Sequence, residues 1–154
     1  MDVLDHMKKE HSNFKKLMSS IESAKGDKKK NLFKEFYAEL SGHHEAEEHV
    51  VFPKVREKAK GKDVEVVLEM IEEHSLGNYQ FSILERTSVE NETWDAKFSV
   101  LQELLEHHME EEEKEFMPLA RKAVPKETLT DMLEEFEIVL SKYEKEKKET
   151  LGVS

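Results

Sequence analysis

His43-His44-Glu45-Ala46-Glu47-Glu48-His49-Val50-Val51-Phe52-Pro53 and His108-Met109-Glu110-Glu111-Glu112-Glu113-Lys114-Glu115-Phe116-Met117-Pro118 are two versions of one pattern. Each carries His-x-x-x-Glu, an apolar pair or near-pair, and Pro at the same offset. On a helix, residues i and i+4 project from one face. His43 with Glu47, and His108 with Glu112, therefore each aim an imidazole and a carboxylate at one point. Each pair is half of a cation site, and the chain has two halves.

Working outward, the flanking residues fall on the alternating 3–4 spacing of a helical bundle seam. Phe33, Phe36 and Leu40 lead into His43 and Glu47, and Val50 follows, on a helix expected from about Lys28 to Lys58. Trp94, Phe98, Leu101 and Leu105 lead into His108 and Glu112, with Leu119 beyond and Pro125 closing the segment. Upstream, Leu4, Met7, His11, Phe14, Met18 and Ile21 make the stripe of a first helix, about Val3 to Ala24. Val64, Val67, Ile71, His74, Asn78 and Phe81 make the stripe of a third, which starts near Asp63. Glu10-His11-Ser12 reappears as Glu73-His74-Ser75. His11 precedes His43 by 32 residues and His74 precedes His108 by 34. The chain is thus read as one αα-hairpin and its copy, which pack as an antiparallel up-down four-helix bundle over about residues 3–124. A fifth helix, about Lys126 to Lys147, has Leu129, Met132, Leu133, Phe136, Leu140 and Tyr143 on one face. It carries no metal-type residue in that stripe and is expected to cover the bundle or to form a homodimer contact.

The bulk numbers agree with an all-α single domain spanning residues 1–154. The chain has 154 residues, of which 38% are charged and 37% apolar, with five Gly and three Pro. Cysteine is absent, which excludes disulfides and thiolate metal sites. A formal charge of −11 argues against nucleic acid or an anionic membrane as a partner. No apolar run is long enough to span a bilayer, and Met1-Asp2-Val3-Leu4-Asp5 lacks the features of a secretory signal, so a cytoplasmic location is expected.

Each of the four helices places one His in the inner stripe, and two also place a Glu. The candidate metal ligands are His11, His43, Glu47, His74, His108 and Glu112. Buried carboxylates without partners are costly, and two cations would offset that cost. A mixed nitrogen and oxygen set without sulfur favours iron, with manganese or zinc as alternatives. Glu47 and Glu112 can each bridge two ions, and a solvent-derived oxo or hydroxo bridge can complete the pair. Which His serves which ion is left open at this point. The ferritin-like di-iron bundles use Glu-x-x-His, the reverse order with one residue fewer between.

A second register competes. His44 with Glu48, and His107 with Glu111, share the i, i+4 spacing but lie one residue, about 100°, off the inner stripe. They are read as flanking or exposed, with a hydrogen bond to a ligand as the most expected of His44 or His107. His6 and His49 are read as surface residues, and the run Glu110–Glu113 as a solvated face except at Glu112. Tyr37 and Tyr79 are read as packing residues with surface hydroxyls.

With these residues placed, the chain resembles the hemerythrin family, in its His-His-Glu cation-binding branch. The resemblance rests on His11, His43-x-x-x-Glu47 before Phe52-Pro53, His74, and His108-x-x-x-Glu112 before Met117-Pro118, and covers about Val3 to Val124. It implies a non-haem di-iron centre with an oxo or hydroxo bridge that binds dioxygen, nitric oxide or peroxide, for sensing, storage or detoxification. The oxygen carriers of the family have a fifth His on the third helix and His-x-x-x-x-Asp on the fourth. Here Asn78 stands four residues after His74, and the last motif ends in Glu112. A binding protein rather than an enzyme is the expected reading. A peroxidase or oxidase, and a bundle with a purely structural metal, are the alternatives.

Overall fold

The computed structural model describes residues 1–153. Five rods follow one another along the chain, two of them interrupted. The first is α1 (Val3–Ser23). The second runs through α2 (Gly26–Ala46), a π-helical turn, π1 (Glu47–Val51), and α3 (Phe52–Lys58). The third is α4 (Lys62–Glu85). The fourth runs through α5 (Trp94–Glu111), a second π-helical turn, π2 (Glu112–Phe116), and α6 (Met117–Ala123). The fifth is α7 (Lys126–Leu151), which runs four residues past the expected end. No strand occurs among the described residues, and none of their helices is long and apolar enough to cross a membrane.

Local chemistry sets the ends. Asp2 caps α1: its side chain accepts from the Asp5 backbone N–H at 2.9 Å, and Asp5 accepts from the Asp2 N–H at 3.1 Å. Gly61 precedes α4 as its cap, with φ +58°, a backbone state that favours glycine. Asn91 accepts from the Thr93 N–H at 2.8 Å and turns the chain into α5.

Pro53 stands inside the second rod. A proline has no N–H to donate, and its ring crowds the carbonyl four residues earlier. The wider π turn just ahead of Pro53 relieves both problems: the Phe52 N–H reaches back to the Glu47 carbonyl. The same happens ahead of Pro118, where the Met117 N–H reaches the Glu112 carbonyl. Each π turn begins at the Glu of a His-x-x-x-Glu motif.

The core has two apolar layers. One holds Leu4, Met7, Val51, Val55, Met70, Phe116, Ala120, Leu129 and Phe136. The other holds Phe14, Ile21, Phe33, Phe36, Phe81, Trp94, Phe98 and Leu105, with the Phe33 ring within 5.5–6.3 Å of Tyr37, Phe81, Trp94 and Phe98. α1 runs from the first layer to the second, the next rod returns, and α4 and the fourth rod repeat the path. That is the up-down-up-down order the duplication predicts. Burying each large apolar side chain contributes about 1.5–3 kcal/mol. The polar residues of the four seams lie between the layers.

One stripe differs from its expected register. On α4 the buried line is Val67, Met70, His74, Gly77, Phe81 and Leu84, while Asn78 is exposed and Ile71 half-buried. Gly77 faces Leu105, whose Cδ2 is 3.5 Å from where a Cβ would stand, an ordinary contact distance. α7 packs along α2 and covers the bundle. It can do so because Gly42 has no side chain: a Cβ there would sit 2.5 Å from the Leu140 carbonyl oxygen.

Candidate metal centre

His11 on α1, His43 on α2, His74 on α4 and His108 on α5 are all buried, and Glu47 and Glu112 are fully so. The fold brings all six to one layer. Glu47 presents Oε2 to His43 Nε2 at 3.4 Å and Oε1 to His74 Nε2 at 3.1 Å. Glu112 presents Oε1 to His11 Nε2 at 3.0 Å and Oε2 to His108 Nε2 at 3.7 Å. His74 Nε2 and His108 Nε2 are 3.0 Å apart. Each carboxylate thus spans from one hairpin's histidines to the other's. Two ligands about 2.1 Å from one ion and about 90° apart stand about 3 Å from each other, so these separations suit shared cations.

The atoms sort into two groups, in each of which all candidate ligand atoms lie within 4.8 Å of one another. The first is His11, His43, Glu47 and Glu112; the second is His44, Glu47, His74 and His108. By distance, then, His11 groups with His43 and His74 with His108, one group per hairpin.

The other ring nitrogens explain why the inner ones point as they do. His43 Nδ1 lies 2.7 Å from Glu10, His108 Nδ1 2.7 Å from Glu73, His74 Nδ1 3.0 Å from Glu48, and His11 Nδ1 2.7 Å from Glu113. An ionised carboxylate only accepts, so each Nδ1 carries the proton and each Nε2 presents a lone pair inward. The donors follow the duplication. The Glu before His11 holds His43, and the Glu before His74 holds His108. The Glu after Glu47 holds His74, and the Glu after Glu112 holds His11.

The layer is electrostatically incomplete without positive charge. His11 Nε2, His43 Nε2 and all four oxygens of Glu47 and Glu112 are buried with no well-formed hydrogen bond. Burial and the facing Glu112 carboxylate push Glu47 well above the usual carboxylate range. Burial acts on Glu112 in the same sense, but the His11 imidazole beside it and the nearby His108 outweigh it and hold Glu112 below that range. Burial lowers His74, and the carboxylates of Glu47 and Glu48 on either side of its ring outweigh that and raise it. Lone pairs and carboxylates converging on two points, with protons held outside, are the donor set two cations require. The residues present fit the metals that the resemblance implies.

Several sequence readings are corrected here. His44 is neither flanking nor exposed: it is 5% exposed, and its ring stacks on His74 with centroids 3.7 Å apart and planes 13° from parallel. Burial, followed by the neighbouring imidazoles, pushes it well below the usual histidine range. Its partner in the second register behaves differently, since the His107 side chain is 71% exposed. Glu48 and Glu113, read as outward residues, hold His74 and His11. His6 is half-buried against Phe136, with ring centroids 5.7 Å apart, not a free surface residue. His49 is exposed as expected and Tyr37 packs as expected, buried and stacked on Phe81, whereas Tyr79, expected to pack, is exposed. The missed carboxylates had a signal: in both halves of the duplication a Glu precedes the first seam histidine (Glu10 before His11, Glu73 before His74) and another follows the seam Glu (Glu48 after Glu47, Glu113 after Glu112).

A cleft of about 300 Å³ opens beside His44, lined by Tyr37, Ser41, Glu48, Asn78 and Tyr143 among others. It lies between α2, α4 and α7 and gives solvent a route toward the second position.

Comparison with known proteins agrees with the geometry. The family model described as the hemerythrin HHE cation-binding domain matches residues 2–120. A crystal structure of a hemerythrin HHE cation-binding domain-containing protein from Mycobacterium kansasii superposes with a TM-score of 0.83, at 21% identity, over 95% of this chain and 89% of that one. Among curated proteins none matches the chain. With its matched segment reaching from Asp2 through both His-x-x-x-Glu motifs, the chain belongs to the hemerythrin HHE cation-binding family.

Proposed function

We propose that the protein holds two iron ions between Glu47 and Glu112 and binds a small diatomic or peroxidic ligand there, in sensing, storage or detoxification. The observation that carries this reading is the set of buried lone pairs without partners: Nε2 of His11 and His43 and four carboxylate oxygens. His11 and His43 would hold one ion, His74 and His108 the other, and each carboxylate would bridge. When bound, the pair of irons would supply reversible binding of dioxygen or nitric oxide, or reaction with peroxide.

The chain's own contribution is orientation and exclusion of water. Glu10, Glu48, Glu73 and Glu113 fix the four rings by their Nδ1 protons. The two apolar layers close the site above and below, which strengthens every electrostatic interaction inside it. Residues with both nitrogen and oxygen donors and no thiolate favour iron over softer-ligand metals.

The test is metal analysis of protein purified without added metal, followed by absorption spectra before and after reduction and exposure to air. About two irons per chain, with charge-transfer bands that change on reduction and return in air, are expected. One zinc per chain, with no spectral response to air, azide or peroxide, would favour a structural metal and overturn the proposal.

A further inference from the structure

The two apolar layers close the cation layer along the bundle axis, so a molecule must reach it from the side. The cleft of about 300 Å³ between α2, α4 and α7 makes that approach. Tyr37, Ser41 and His44 line it from α2, Asn78 from α4, and Tyr143 and Lys147 from the end of α7. Tyr37 is 6% exposed and His44 5%, and neither has a hydrogen-bond partner among the described residues. Buried polar groups are normally paired with protein or water, so these two depend on what the cleft admits. The His44 ring lies 3.7 Å, centroid to centroid, from that of His74, so whatever meets it from the cleft is one ring away from the layer. A smaller cavity of about 110 Å³ beside Leu140 reaches Glu10 and Phe14 but none of the six candidate ligands.

The wall from α7 is held differently from the other two. The first half of α7 is anchored: Leu129, Met132 and Phe136 are buried, and the Leu140 carbonyl lies over Gly42. From Ser141 to Leu151 no side chain of the helix is buried. Three contacts tie that segment down. The Lys147 ammonium stands 4.7 Å from the centre of the Tyr37 ring, Tyr143 stacks on exposed His49 at 5.3 Å, and half-buried Leu151 rests on the aromatic layer. Its ion pair, Lys148 with Glu144 at 3.5 Å, stays within the helix. Segments with few buried contacts open locally at a fraction of the global unfolding free energy.

Resting on the di-iron reading above, we infer that this cleft is the port through which a small ligand reaches the cation layer, and that the last turns of α7, latched by Lys147 on Tyr37, are its lid. Lifting the helix end removes one wall of the cleft and leaves the α2 and α4 walls in place. The lid is latched to Tyr37 and His49, not to any of the six candidate ligands. It therefore sets how fast a ligand enters and leaves, and leaves its equilibrium affinity alone.

The test loads the full chain with iron, oxidises it and follows azide binding by stopped flow, with hydrogen exchange read on the same protein. Lys147→Met keeps the apolar stem and removes the ammonium. It should raise the azide on-rate and off-rate together, about threefold each, with the dissociation constant unchanged. Lys147→Arg keeps a cation over the ring and should retain wild-type rates. Asn78→Trp and Glu45→Trp, from two different walls, should each fill the cleft and slow azide uptake about tenfold while iron stays at two per chain. Backbone amides of residues 143–151 should exchange faster than those of 129–140, and Lys147→Met should quicken only the former. Unchanged rates in Lys147→Met, or a change in its dissociation constant alone, overturns the inference. So does an unchanged on-rate in either iron-loaded Trp variant, or exchange in residues 143–151 as slow as in 129–140. Any of these results with two irons bound overturns this inference alone. A wild type that takes up no iron overturns the di-iron reading and this one together.

Discussion

Glu10 Oε1 lies 2.7 Å from His43 Nδ1, so the residue just ahead of one seam histidine holds the seam histidine of the neighbouring helix. The same relationship recurs between Glu73 and His108 at 2.7 Å. The bundle is therefore linked across helices outside the cation layer as well as within it. Each ring is aimed by a carboxylate that is itself only partly buried.

These outer carboxylates should matter to metal binding without touching metal. Glu48→Gln and Glu113→Gln should each lower iron affinity about 10–100-fold, because His74 and His11 then face a neutral amide in place of the carboxylate that fixes ring and tautomer. Glu45→Gln and Glu110→Gln should leave it unchanged, since Glu45 pairs only with exposed His49 and Glu110 only with Lys114. Anaerobic iron titration against a competing chelator measures both sets. Equal effects in the two sets would mean that the outer contacts do not aim the rings.

Gly42→Ala should loosen the fifth rod. The new methyl group would meet the Leu140 carbonyl at 2.5 Å and Glu144 backbone and side-chain atoms at 3.1–3.2 Å, so α7 must move. A loss of about 1–3 kcal/mol in stability is expected from such overpacking. Hydrogen exchange should quicken in α7 far more than in α4, whose packing against α5 is untouched. Uniform loss of protection across all rods would contradict this.

Asp2→Ala should cost about 1–2 kcal/mol at neutral pH through loss of the α1 cap. The wild-type residue also faces Arg121 at 2.8 Å. Burial raises the Asp2 pKa, but the Asp5 N–H and Arg121 outweigh that and leave it below 3.8. A carboxylate with a lowered folded pKa contributes stability that is full above its unfolded value and lost as pH falls through the folded one. The gap between wild type and variant in denaturant midpoint should therefore be constant from pH 7 to about 5 and narrow below about pH 4. A gap that widened in acid would contradict the assignment.

The stripes on α1, α2 and α5 were legible in the sequence because apolar spacing there is unbroken and the duplication supplies a second reading of each motif. All six candidate ligands come together in one layer. His44 was misplaced for a geometrical reason. A residue one step off a seam turns about 100° from it and is outside only if nothing packs there. α2 is flanked by α1 and α7, and its end meets the His74 ring of α4, so that direction leads inward. On α4 the apolar Ile71 suggested the wrong line because Met70 and the small Gly77 carry the contact instead. The π turns left no mark in hydrophobic spacing, and only Pro53 and Pro118 hinted at them. The outer carboxylates were hidden in acidic runs whose average reads as solvated surface.

The central claim is that two cations lie between Glu47 and Glu112. Crystals of the iron-loaded protein, with anomalous scattering recorded above and below the iron edge, test it directly. Two peaks are predicted inside the bundle: one beside His11 and His43, the other beside His74 and His108, with Glu47 and Glu112 between them. No peak in that layer, or peaks only at the outer Glu73–His107–Glu111 group, would contradict it.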